Sequence, residues 1–174
     1  MQTMRNIKTI SVLGIFLVLN SCNGKLEQEI DSTWPDGNPR KVIYYEMVGG
    51  EKEKVREERF YENGNQEMVG GYRGIKKEGE WIYWFQDGRK WSQASYVNDI
   101  KEGKATVWRE DGNKNYEGTY TTGKPHGTWI FYDKDGSRLK EVLFEYGEKI
   151  NEIAFKESAP IKLPPGDSIQ VRIE

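Results

Sequence analysis

Reactive side chains are nearly missing from this sequence: among 174 residues there is one histidine, His126, and one cysteine, Cys22. Apart from His126, no side chain is an obvious proton-transfer group at neutral pH. No nucleophile elbow, zinc-ligand spacing, P-loop or dinucleotide fingerprint is present. The glycine pairs Gly49-Gly50 and Gly70-Gly71 are not phosphate cradles, because no lysine-serine signature follows them. The sequence therefore reads as non-enzymatic, with no catalytic residue, cofactor or metal expected. Apolar residues are also scarce, at 36 %, which argues against a thick globular core.

Long hydrophobic runs are lacking too. The longest, TISVLGIFLVL, spans about ten residues, whereas a membrane-crossing helix needs about 20. It follows Arg5 and Lys8 without an intervening acid, as the apolar core of a secretory signal does. Leu19-Asn20-Ser21-Cys22 then resembles the bacterial lipobox, with Asn20 where small or branched residues are commoner. The resemblance implies that residues 1–21 are a lipoprotein signal peptide and that Cys22 is lipidated. Residues 22–32 would be a polar tether, and the protein would sit in the bacterial cell envelope, anchored by lipid to the outer membrane.

A basic excess is the next absence. Residues 1–21 carry Arg5 and Lys8 and no acid, so 24 of the 26 basic side chains remain against 28 acidic ones. A formal charge of −4 argues against a nucleic-acid partner, which needs a basic footprint to displace counterions. Charges alternate in sign, as in EKEKVREER, like solvated strand and turn faces.

What the chain has is aromatic residues, at 13 %, and 19 glycines. They fall into phase. Asn63-Gly64, Asp87-Gly88, Asp111-Gly112 and Asp135-Gly136 recur every 24 residues, each followed eight positions later by Tyr72, Tyr96, Tyr120 or Phe144. Gly79, Gly103 and Gly127 keep the step, as do Phe60, Trp84, Trp108 and Tyr132. Asp36-Gly37 with Tyr45 opens the series after a three-residue insertion. A fixed period of this kind marks a repeat architecture.

Each unit reads as one β-hairpin, because a β-rich run such as EWIYWFQ meets Asp-Gly and a second run follows. The expectation is an all-β, single-layer antiparallel meander of about five 24-residue hairpins, residues 33–155. Asp-Gly is read as a two-residue loop and the segment ending in Gly103 as a looser turn. Residues 156–174 form an extended, proline-rich tail whose alternating Ile169, Val171 and Ile173 suit a capping strand.

A two-residue loop places Trp81 opposite Ala94 and Trp129 opposite Val142. One face then carries Trp81, Tyr83, Tyr96, Val107, Tyr116, Tyr120, Trp129, Phe131 and Phe144. The other carries Ile82, Trp84, Trp91, Trp108, Ile130 and Tyr132, and a bulged turn would exchange some of these.

The stretch YEGTYTTGKPHGTW, Tyr116 to Trp129, resembles a MORN repeat: aromatic, glycine, aromatic, then Gly-Lys-x-x-Gly. Other units depart from it, with Ser92 and Ala94 in place of Tyr116 and Gly118. The longer unit is similar to the MORN-variant repeats of bacterial proteins labelled as antitoxins. The resemblance implies a scaffold, with a toxin or an envelope protein as partner.

Two details follow from the phase. Glu78 and Glu102 hold the position of His126, so the histidine is expected to be one tooth of the repeat. The Asp and Asn residues before the turn glycines should bond their own backbone instead of forming a calcium ladder. The candidate binding residues are Trp81, Tyr83, Tyr96, Tyr116, Tyr120, Trp129 and Phe131, because rows of exposed rings grip proteins or stack on sugars. The expected function is a membrane-anchored, protein-binding scaffold of antitoxin or immunity type. A surface lipoprotein that binds glycan or cell wall through the same rings is the alternative.

Overall fold

The computed structural model describes residues 26–155. Residues 1–25, Cys22 among them, and 156–174 lie outside the described residues, and with them the signal peptide, lipidation site and capping strand expected from sequence. The described residues form eleven strands: β1 (Glu27–Thr33), β2 (Pro39–Val48), β3 (Glu51–Phe60), β4 (Gln66–Arg73), β5 (Lys76–Trp84), β6 (Lys90–Val97), β7 (Ile100–Trp108), β8 (Lys114–Thr121), β9 (Lys124–Tyr132), β10 (Arg138–Glu145) and β11 (Glu148–Ala154). They lie side by side in chain order in one antiparallel sheet. The hairpin meander expected from the repeat is the fold.

The two kinds of turn are exchanged relative to the sequence reading. At Asp87-Gly88 the loop holds three residues: Gly88 N–H donates to Phe85 O at 2.9 Å, and Phe85 N–H to Arg89 O at 2.8 Å. Only the glycine has positive φ, +89°, whereas a two-residue type I′ turn would need it at the aspartate as well. Asp36, Asn63, Asp111 and Asp135 sit in loops closed by the same bonds. The tight two-residue turns lie at the other ends of the strands. Asn98-Asp99 (φ 51° and 71°) and Thr122-Gly123 (52° and 80°) show the paired positive values of type I′.

The predicted pairing nevertheless holds. Trp81 faces Ala94 and Tyr83 faces Ser92, because a bulge next to the loop, between Tyr83 and Trp84, restores the register that the longer loop displaces. The same bulge corrects one face assignment. Trp91 is the extra residue, so its ring turns to the first face, 6.1 Å from both Tyr83 and Phe85.

Residues 27–32, read from sequence as part of a tether, pair with β2 instead; Ile30 faces Val42. With Ile30 its one aliphatic side chain, β1 lacks the alternation that marks a half-buried strand. Backbone pairing at a solvated sheet edge does not require that alternation.

The core is one side chain thick and lies on one face. Ile43, Met68, Trp81, Ala105, Trp129 and Val142 are buried there, with Val42 the exception on the other face. A cross-strand row on that other face reads Glu58, Val69, Ile82, Gln93, Thr106, Glu117. Its side chains are mixed polar and apolar and partly exposed, except for Glu58, which is buried.

Candidate functional site

The buried face is organised along one row across the sheet: Ile43, Glu57, Gly70, Trp81, Ala94, Ala105, Gly118, Trp129, Val142. Each tryptophan lies flat over a glycine on the preceding strand. A Cβ added to Gly70 would meet the Trp81 ring at 2.2 Å, and one added to Gly118 would meet Trp129 at 2.3 Å. Each indole N–H donates to a carbonyl at 3.1 Å, Trp81 to Gly71 and Trp129 to Thr119. Both carbonyls adjoin a break in the ladder register, between Gly70 and Gly71 and between Glu117 and Thr119. A single device thus seats both rings: close approach, plus a polar handle for the indole.

Tyrosines frame each indole. Tyr72 and Tyr96 stand edge-on to Trp81, with ring centroids 5.2 and 6.2 Å away. Tyr120 and Phe144 do the same for Trp129, at 5.0 and 6.1 Å. Of the seven candidate binding residues, Trp81 and Trp129 are therefore packing residues, 2 % and 5 % exposed. Tyr83, Tyr96, Tyr116, Tyr120 and Phe131 are partly exposed and, with Trp91 at 49 % exposed, belong to the accessible part of the face.

The row also shows a longer rhythm. In phase with Trp81 and Trp129, 48 residues apart, stand Glu57 and Ala105. Tryptophan occupies every second position of this series, with Glu57 and Ala105 at the others, so the packing unit is two hairpins. The signal was present in the glycine column, since Gly70 and Gly118 share the same spacing and precede each tryptophan by eleven residues.

Glu57 replaces a ring with a buried charge. Its carboxylate accepts from Lys54 Nζ at 2.5 Å, Arg59 Nε at 2.7 Å and Tyr72 Oη at 3.3 Å. Burial raises its pKa, but the bonds and charges of Lys54 and Arg59 outweigh that and hold it below the ordinary carboxylate value. Burial, then the negative charge of Glu57, pushes the Tyr72 hydroxyl up to about 12. No sequence pattern announced this cluster, because KVREER looked like a solvated strand face.

His126 is a structural tooth in this geometry. Glu78 accepts the N–H of Asn98 at 3.1 Å and Glu102 that of Thr122 at 2.7 Å. His126 Nδ1 takes the same place for Tyr146. The second turn residue is tied beside it: Asp99, Gly123 and Gly147 donate to the carbonyls of Lys77, Lys101 and Pro125 at 3.0, 3.0 and 2.8 Å. Each of these three turns is thus clasped by the preceding hairpin. At the opposite edge, Asp36, Asn63, Asp87, Asp111 and Asp135 each accept the N–H two residues on, as the turn chemistry predicted.

The family model described as MORN repeat variant matches residues 77–98 and 125–146. The two windows begin 48 residues apart and hold Trp81 and Trp129, one in each packing unit. No curated protein matches the chain. A crystal structure of a protein of unknown function from Bacteroides fragilis aligns at 10 % identity, over 76 % of this chain and 94 % of that one. Its TM-score of 0.23 is too low for the likeness to support an argument.

Proposed function

We propose that this MORN-repeat protein is a binding scaffold, held on the bacterial envelope through lipid at Cys22, whose ring face grips another protein. The observation that carries the reading is a one-sided sheet: among the described residues no second layer covers Tyr83, Tyr96, Tyr116, Tyr120 and Phe131. Rings framed by packed indoles give large contact area at little entropic cost. Antitoxin or immunity-type action, with a toxin as partner, is the narrower form of the reading. Sugar stacking is less favoured, because Trp81 and Trp129 have their faces against the sheet, so that of the indoles of Trp81, Trp91 and Trp129 only that of Trp91 is exposed on this face.

Site-specific photo-crosslinking from the native envelope tests the scaffold. A crosslinker at Tyr116 should trap a discrete protein, whereas one at Thr106 on the opposite face should not. Equal capture from both faces, or none from Tyr116, would refute a ring-face partner. The anchor is tested separately: Cys22→Ala should abolish fatty-acid labelling and detergent-phase partitioning. Equal labelling of variant and parent would remove the lipid from the proposal.

A further inference from the structure

Between the two indoles the ring face carries a depression. Trp81 leans over Gly70 and Trp129 over Gly118, so both rings tilt towards the preceding strand. Ala94 and Ala105 between them face each other with only methyl groups. They form a narrow floor walled by Trp81, Tyr83, Tyr96, Val107, Tyr116 and Tyr120. Such a floor suits one apolar side chain.

The charge around this depression is one-sided. Lys77 Nζ lies 4.1 Å from the Trp81 ring centroid and 5.1 Å from that of Tyr96. Lys101 Nζ lies 4.8 Å from that of Tyr120. Three other lysines sit over rings of this face and also have ion-pair partners: Lys52 with Glu27 and Glu29, Lys54 with Glu57, Lys140 with Glu152. Among the described residues, the amines of Lys77 and Lys101 contact rings but no carboxylate within ion-pair distance. The nearby acids Glu78 and Glu102 follow each lysine by one residue and so point to the other side of the sheet, where turn N–H groups hold them. Among the described residues, two ammonium groups thus flank an apolar floor without an ion-pair partner, and the nearby Asp99 carboxylate is taken up by the backbone N–H of Lys77 at 2.8 Å.

We infer that this depression binds an acidic peptide segment, which inserts an apolar side chain against Ala94 and Ala105 and gives carboxylates to Lys77 and Lys101. The two lysines stand on β5 and β7, two strand spacings or about 10 Å apart. An extended segment crossing the strands turns every second side chain to the sheet, and positions i and i+4 lie about 13 Å apart, a span two flexible lysine side chains can meet. The recognised pattern is therefore two acids four positions apart with an apolar residue midway between them. Each carboxylate would make a charge-assisted bond to an amine partly shielded by rings. The inference rests on the protein-binding reading and names the partner's chemistry.

The test uses the purified full-length chain and a displayed library of random heptapeptides. Enriched peptides should carry two acids four positions apart with an apolar residue midway between them. They should bind Lys77→Gln/Lys101→Gln and, separately, Ala94→Leu at least tenfold more weakly, with near-ultraviolet spectra and melting confirming that both variants fold. Binding should also weaken from about 50 to about 500 mM salt, as screening shortens the range of charge attraction. Enriched peptides without acids, or affinity unchanged in both folded variants, would overturn the inference while leaving a protein-binding face intact. If no peptide of any composition is enriched and polygalacturonate binds instead, the inference fails and so does the protein-binding reading. If a variant does not fold, the affinity series is repeated with Lys101→Gln alone, for which the expected loss is threefold or more.

Discussion

The Nδ1 atom of His126 accepts the backbone N–H of Tyr146 at 3.4 Å, the place Glu78 and Glu102 take towards Asn98 and Thr122. That contact is long for a hydrogen bond, and the His126 and Tyr146 rings lie 4.7 Å apart. The only histidine of the chain thus serves a turn clasp. His126→Ala should change stability by no more than about 0.5 kcal/mol. His126→Glu should match or exceed the parent, since a carboxylate accepts the N–H without depending on a tautomer. Urea denaturation of the three proteins checks the order. A tenfold loss of partner binding in His126→Ala, about 1.4 kcal/mol, would mean that the residue does more than clasp a turn.

Trp129 and Gly112 separate packing from turn geometry. Trp129 is 5 % exposed, and its truncation should cost about 3–5 kcal/mol. Gly112 has φ of +89°, and a Cβ there would meet only the Arg89 side chain. Gly112→Val should therefore cost about 1–2 kcal/mol, as backbone strain and not as a clash. Chemical denaturation should rank Trp129→Ala as the more damaging. A Trp129→Ala chain of full stability that binds no partner would make this ring a contact residue instead.

Gly118 tests whether the glycine under the indole is required. A methyl group there lies 2.3 Å from the Trp129 ring, and such overpacking costs about 1–3 kcal/mol. The penalty should shrink in a Trp129→Leu background, because the clash belongs to the pair. A double-mutant cycle reads this coupling. Gly118→Ala costing the same in both backgrounds would place the cost in the backbone.

Acid should weaken the sheet through Glu57. Its pKa is lower in the folded state than the ordinary 4.5, so the unfolded chain binds the proton more readily. The stabilisation is complete above that value and is lost as pH falls through the lowered folded pKa. Glu117 adds in the same sense, held down chiefly by its bonds from Lys114 and Tyr132. The denaturation midpoint should therefore decline from about pH 5 to about pH 3. Glu57→Gln should be less stable at neutral pH and lose less on acidification. An acid response as steep as the parent's would assign it to other carboxylates.

The sequence by itself determined the meander, its period and the face that most rings occupy, from Trp81 opposite Ala94 to Trp129 opposite Val142. Those are local properties: strand alternation has period two, and Asp-Gly limits where a hairpin can turn. It also put His126 in phase with Glu78 and Glu102, because phase is a one-dimensional observation, whereas their clasping of turns came from the structure. Tertiary structure decided what period two leaves free. A bulge beside each Asp-Gly loop restored the register and turned Trp91 to the ring face, and bulge placement depends on twist and neighbouring strands, not on residue type. Pairing with β2 made a strand of residues 27–32 that have no apolar face to announce it. The tilt of Trp81 over Gly70 and of Trp129 over Gly118 was settled only when neighbouring strands met. That tilt buries both indoles, and the lean of Trp81 away from Ala94 leaves the floor at Ala94 and Ala105 open, because a side chain's direction across a sheet is fixed by the space its neighbours leave.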